Sequence, residues 1–233
     1  MKSAEPTRRI AQLGNEAITA PVLLLVEGKD EEALIRQMCA HWFGVRAQAI
    51  DMECVEGLAN FPKCFRALKV RSLGLLKVVG VIADSEQDPA ATAQRWTDLF
   101  NEVEPSLVNN GTRCPCFKLQ LPNDNTPGAF ETLMLEAWAC DAVASCATAF
   151  RDCVSPHLGE RTLAQQDKIA VQAWLSAKLG NAYGNVFKAQ EKHPENPLLD
   201  YDHPAFAPIK TFIETLLAEV DKSTAKSIAK STP

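Results

Sequence analysis

The sequence offers no apolar run that could cross a membrane: Val22 to Val26 ends abruptly at Glu27-Gly28, far short of the roughly 20 residues a bilayer requires. Met1 to Ile10 mixes Lys2, Glu5, Arg8 and Arg9 with small polar residues, and the apolar core of a secretory signal is missing behind it. A cytoplasmic protein with no membrane partner is the expectation. No internal repeat stands out, and the one biased stretch, the Lys-, Ser-, Thr- and Ala-rich Lys222 to Pro233, is read as a flexible tail. A disulfide framework is missing as well. The 8 cysteines are scattered at 39, 54, 64, 114, 116, 140, 146 and 153, mostly within apolar stretches where a reduced thiol packs as a small hydrophobe. Cys114-Pro115-Cys116 would be half a zinc site, but no second close Cys or His pair completes four ligands. His41, His157, His193 and His203 are too dispersed to assign a Ser-His-Asp arrangement. Leu23 stands where a P-loop needs its first glycine and Asp30 follows Lys29, so Gly28-Lys29 is not a Walker motif.

What remains is an ordinary globular composition, 46% hydrophobic and 23% charged over 233 residues, enough for one substantial core with an appendage. The formal net charge of -5 argues against coating nucleic acid by bulk electrostatics. Charge is uneven, however. No acidic residue lies between Glu56 and Asp84, while Lys63, Arg66, Lys69, Arg71 and Lys77 all fall there, a stretch along which a phosphate backbone could lie.

Alternation of pattern sets the fold. Val22 to Val26 reads as a strand buried on both faces, and Leu34, Met38 and Trp42 recur on one face of a helix reaching about Phe43. Gln48 to Val55 alternates Ile50, Met52 and Cys54 against Asp51 and Glu53, a half-buried edge strand. Pro62 opens a helix through about Val70, and Leu75 to Ala83 is the strongest strand. Asp88-Pro89 is an N-cap and first-turn pair for a helix carrying Trp96 and Phe100. After a loop to Arg113, Cys116 to Leu121 makes a fourth strand, and a helix begins near Ala129. This β-α alternation predicts an α/β fold: a mostly parallel, Rossmannoid sheet of about four strands with flanking helices. Beyond it, helices are expected over 137–153 and 163–179, then a Pro-broken segment from His193 to Pro208 and a last helix to Val220. The domain scheme is an α/β domain over 20–140, a helical extension packed on it over 141–221, and a tail over 222–233.

In an open parallel sheet ligands bind beyond the carboxyl ends of the strands, where Glu27 and Asp84 are expected. Magnesium takes one or two carboxylates and leaves its other positions to water and phosphate, so Asp84, Glu86 and Asp88 are candidate ligands. Glu27 could join them or act in general acid/base chemistry. The same acids also fit plainer roles, Glu27 at the charged mouth of a helix and Asp84 to Asp88 as caps of the next.

Two stretches carry a resemblance. Val22-Leu-Leu-Leu-Val-Glu-Gly-Lys-Asp-Glu31 resembles the first TOPRIM motif, a strand ending in Glu-Gly, and Val79-Gly-Val-Ile-Ala-Asp-Ser-Glu86 resembles the second, a strand ending in Asp-x-Asp. Pro122-Asn-Asp-Asn-Thr-Pro-Gly-Ala-Phe-Glu131 is similar to the Pro-x-Asp-Asn and Gly-x-x-Glu elements of small bacterial TOPRIM-like proteins. The resemblance spans about residues 20 to 140. It implies a TOPRIM-like domain related to overcoming-lysogenization-defect nucleases, with Mg²⁺- or Mn²⁺-dependent phosphodiester chemistry on DNA or RNA and, at family level, an ATPase partner in phage defence. Glu86 departs from the motif, standing where the second aspartate is usual. Strand passage and primer synthesis are not implied, since no primase zinc module is visible and Tyr183 and Tyr201 lack the surrounding domains of a topoisomerase. Asp124 and Glu131 are candidates for a second metal, and Lys29, Lys63 and Arg66 for phosphate. Asn123, Asn125 and Glu136 are weaker candidates. A non-catalytic module that binds a protein or nucleic acid is the alternative, and a phosphoacceptor receiver domain lacks its lysine after a fifth strand.

Overall fold

Five consecutive apolar residues with no polar face can only be satisfied between layers, and the first strand, β1 (Val22–Val26), is buried along its whole length. The structure, a computed structural model, describes residues 18–180 and 198–231, with side chains in the last stretch through 225. The readings that rest on Met1 to Ile10, Tyr183 and His193 lie outside the described residues. After β1 come α1 (Lys29–Phe43), β2 (Ile50–Cys54), α2 (Phe61–Leu68), β3 (Val78–Asp84), α3 (Pro89–Val103), the short β4 (Val108–Asn109) and β5 (Thr112–Arg113), and β6 (Cys116–Leu121). Among the described residues four helices follow: α4 (Phe130–Ala137), α5 (Ala142–Val154), α6 (Leu163–Leu179) and α7 (Ala207–Ser231).

The fold is α/β, as the alternation predicts: a four-stranded parallel sheet in the order β2-β1-β3-β6, flanked by helices. β1 pairs in parallel with both neighbours, Val22 level with Ile50 and Val78, Val26 level with Cys54 and Ile82. β2 is the edge strand expected from its alternation, with one difference. Glu53, placed by period two beside Asp51 on the polar face, is buried, and its Oε1 accepts from Arg71 Nη1 at 2.9 Å. The periodicity gives the face but not the cation that arrives from the turn after α2.

Contacts divide the chain into two compact units, one of 1–83, 95–119 and 210–233, the other of 84–94 and 120–209. In the first unit one sheet face presents Leu23, Leu25, Val79, Val81 and Ala83 to Phe61, Phe65 and Leu68 of α2 and to Trp96 and Val103 of α3. Trp96 stands edge-on to Phe61 with centroids 4.8 Å apart, a favoured aromatic geometry. From Lys210 on, the last helix belongs to this unit, and it runs past Val220 to Ser231, where a tail from Lys222 was expected. It approaches β3 at a bare backbone position: a Cβ on Gly80 would collide with Leu216 Cδ1 and lie 3.1 Å from Leu24 Cδ1. Gly80→Val should therefore lower stability by about 1–3 kcal/mol through overpacking, seen as a lower urea midpoint with an unchanged m-value.

In the second unit, Trp138 of α4's end stacks on Trp174 of α6 with centroids 3.7 Å apart. Helix α5 begins at Ala142 rather than 137, because Asp141 is a true N-cap, accepting from Val143 N at 2.7 Å and Ala144 N at 3.3 Å. Lys178, 2.8 Å away, is the main reason the Asp141 carboxyl is held below its usual range. The expected loop before Arg113 holds an antiparallel hairpin. Asn110-Gly111, both at positive φ (49° and 74°), closes it, as that dipeptide does in two-residue turns.

All 8 cysteines are free; Cys39, Cys54, Cys64, Cys114 and Cys116 are buried, and Cys140, Cys146 and Cys153 are exposed. Burial pushes the Cys39 and Cys64 thiols up to about 12, far from the reactive thiolate. A thiol reagent at pH 8 should modify 3 sites in the folded protein and all 8 after denaturation. Mass-counted labelling that finds Cys39 or Cys64 reacting with the fast group would contradict this burial.

Candidate functional site

Because β1 and β3 run parallel with Val26 level with Ile82, Glu27 follows the carboxyl end of one strand and Asp84 closes the carboxyl end of its neighbour. Glu27 belongs to the first unit and Asp84 to the second.

In the first unit Glu27 is half-buried. Its carbonyl accepts from Gly57 N at 3.1 Å and its Oε1 from Leu58 N at 3.2 Å. The chain can bring both N–H groups there because Glu56 and Gly57 take positive φ, 58° and 111°. Lys29 is exposed, and its Nζ lies 2.8 Å from Glu56 Oε1. Lys63 Nζ donates to Asn60 Oδ1 at 3.3 Å, and Arg66, one turn on, is exposed. The rest of the basic stretch is less available: Lys69 lies 3.9 Å from Glu102, and Arg71 is buried against Glu53.

In the second unit Asp84 is half-buried, and its Oδ1 accepts from Phe130 N, the first residue of α4, at 3.0 Å. An acid at a helix start satisfies an orphan donor and meets the positive end of the helix dipole. Ser85 is buried, its Oγ donating to Thr126 O at 2.6 Å, and Gly128 N donates to Glu86 O at 3.1 Å, so the turn after β3 is laced to the Pro122–Gly128 segment. Glu86 is half-buried at φ 58°, a left-handed position that any side chain but glycine resists. Gly128 has φ 149°, and a Cβ there would lie 2.7 Å from Thr132 Oγ1 and 2.8 Å from Pro122 Cδ, which explains this glycine.

Asp88 is exposed and caps α3, with Oδ1 accepting from Ala91 N at 2.9 Å. Asn123 Oδ1 accepts from Asn125 N, a local turn bond, and Asp124 and Glu136 are exposed. Glu131 is buried in the first turn of α4, 3.7 Å from Lys168 Nζ. Sequence reasoning passed over Lys168, and over the buried Asp167 beside it. They sit on α6, beyond the resembling stretch, and nothing in the spacing of that helix marks them.

Among the described residues, no group of three or more His, Cys, Asp or Glu side chains is placed to hold a metal ion. The donor chemistry at Asp84 is carboxylate oxygen at a helix start, which suits a hard cation held by one or two protein ligands with water and phosphate completing the shell. A closed thiolate site is a different matter. Cys114 Sγ donates to Leu76 O at 3.5 Å, and burial raises the Cys114 and Cys116 thiols. A cavity of about 880 Å³ opens beside α6 and reaches only Gln87 of the 84–88 segment. No helix among the described residues is long and apolar enough to cross a membrane.

The family model described as "Protein of unknown function (DUF3226)" matches residues 21–218. No curated protein matches the chain. Among solved structures, the chain is similar to the C-terminal region of the OLD protein of Xanthomonas campestris pv. campestris, phased with iodine, at 14% identity and a TM-score of 0.40, over 90% of this chain and 98% of that one. The same region phased with mercury gives 13% identity and a TM-score of 0.36, over 89% and 98%.

Proposed function

This chain belongs to the DUF3226 family, and on that premise we propose that it is a TOPRIM-type nuclease that hydrolyses phosphodiester bonds of DNA or RNA with Mg²⁺ or Mn²⁺. The observation that carries the proposal is that the parallel strand β3 ends at Asp84, the carboxyl end being where α/β sheets bind their ligands; Glu27 stands in the same way after β1. In support, Val22–Val26 and Val78–Asp84, which hold the apolar parts of the two resembling stretches, are both strands. Asp84 is the principal ligand, with Glu27 as ligand or acid/base group; Glu86 supplies an oxygen one methylene further out, and Glu131 is the candidate for a second ion. Asp88 ranks below them because it is exposed, lies beyond the strand end and caps the helix that follows it.

A hard divalent ion held there would neutralise phosphate charge and lower the pKa of a bound water. The chain's own part is to present the carboxylates. Phe130 N fixes one oxygen of Asp84, and Leu58 N one oxygen of Glu27, so neither must be oriented when phosphate arrives. Lys63 and Arg66, exposed on α2, and Lys29 would meet the phosphate backbone. A cytoplasmic setting and an ATPase partner in phage defence complete the reading at family level.

The second reading, a non-catalytic module that binds a protein or nucleic acid, is favoured by one fact: Glu27, Asp84 and Asp88 each already serve a backbone N–H. Incubation with end-labelled DNA and RNA in Mg²⁺ or Mn²⁺, with Glu27→Ala and Asp84→Ala as controls, separates the two. The nuclease reading expects metal-dependent products that both variants lose. Folded variants that cut as well as the parent would remove the proposed site, and binding without any cleavage would favour the module.

A further inference from the structure

The first turn of α4 is held at three consecutive residues. Phe130 N donates to Asp84 Oδ1 at 3.0 Å; Glu131 Oε1 lies 3.7 Å from Lys168 Nζ; and Thr132 Oγ1 donates to Asp167 Oδ2 at 2.7 Å. Thr132 also caps the helix, its Oγ1 accepting from Ala129 N at 3.1 Å. Asp167 is 3% exposed, and its second oxygen accepts from Arg151 Nη1 of α5 at 2.8 Å. Arg151 in turn reaches Asp152 through Nε at 2.9 Å.

A buried carboxylate whose two oxygens serve two different helices fixes both in one geometry. Here one of those helices starts with the N–H that orients Asp84. We propose that Asp167 is a positioning residue for the Asp84 carboxylate, acting through Thr132 and the first turn of α4, so that α5 and α6 set the geometry of the metal ligand. This rests on the nuclease reading above only in taking Asp84 as a metal ligand. Outer-shell partners of ligating carboxylates shift metal affinity by roughly 10–100-fold when removed. The route is short: Asp167 holds the Thr132 hydroxyl, Thr132 holds the helix start, and the helix start holds Asp84.

The test is Mn²⁺ binding to the full chain, read by loss of the free-ion EPR signal, at a temperature where thermal melts show every variant folded. Thr132→Val keeps the shape and removes the hydroxyl; Thr132→Ser keeps the hydroxyl; Asp167→Asn keeps the volume and removes the charge. The expected result is a Kd raised about tenfold in Thr132→Val and Asp167→Asn, parent-like binding in Thr132→Ser, and loss of the site in Asp84→Asn. Lower melting temperatures with unchanged Kd in Thr132→Val and Asp167→Asn, while Asp84→Asn loses binding, would overturn the positioning role and leave the metal reading intact. Unchanged binding in Asp84→Asn would remove the metal reading, and the proposal with it.

Discussion

On the proposed nuclease reading, Asp84→Asn is expected to lower metal-dependent cleavage by at least about a hundredfold while leaving the fold in place. Asparagine retains a carbonyl oxygen that can accept from Phe130 N, the bond Asp84 Oδ1 makes at 3.0 Å, so α4 keeps its start. What is lost is the charge, and a neutral amide oxygen is a poor substitute for a carboxylate facing a hard cation. Asp84→Ala loses both charge and acceptor, so it should add a fall in melting temperature to the same loss of rate. Asp88→Ala supplies the contrast. Its side chain is exposed and caps α3 through Ala91 N, so the variant should lose about 1 kcal/mol of stability and keep the parent's cleavage rate. Initial rates on labelled substrate, with a urea melt for each variant, check all three. Equal losses at Asp84 and Asp88 would mean that the ranking of the acids is wrong.

The largest effect on stability is expected at Arg71. On sequence it belongs to a run of cations without intervening acids, but its side chain is 4% exposed and donates to the buried Glu53 at 2.9 Å. Removing one partner of a buried pair takes the cation from a charge that folding has already desolvated, which typically costs about 3–5 kcal/mol. Arg71→Ala should therefore shift the urea midpoint sharply or prevent folding. The double variant Arg71→Met/Glu53→Leu, which removes both charges together, should recover much of the loss. A stable Arg71→Ala protein with weakened nucleic-acid binding would instead return Arg71 to the phosphate-contacting surface.

These two residues also mark what could be seen in advance. The strands were legible because their patterns have few alternatives: Val22–Val26 is apolar throughout, and Asp84 closes β3 two residues beyond the level of Val26. Pro62, Asp88-Pro89 and Ala129 located helix starts, because starts depend on local capping and on the proline ring. Features that depend on a distant partner escaped. The burial of Glu53 required Arg71, 18 residues away. The anchoring of Thr132 required Asp167, 35 residues on, from a helix whose sequence reads as ordinary. The final helix passes its expected end at Val220, where composition alone suggested fraying, and Lys77 Nζ donates to Thr224 Oγ1 beyond that point. At the site, the positions of Glu27 and Asp84 follow from strand ends, whereas their hydrogen-bond partners come from turns and helix starts that no periodicity announces.

In the proposed function Asp84 ligates a divalent ion. Crystals grown with Mn²⁺ and measured for anomalous scattering test it without relying on a substrate. The expected result is a strong difference peak at roughly 2.0–2.6 Å from an Asp84 carboxylate oxygen, absent from crystals of Asp84→Asn. A map at saturating Mn²⁺ with no peak at Asp84, or the same peak retained in Asp84→Asn, would contradict it.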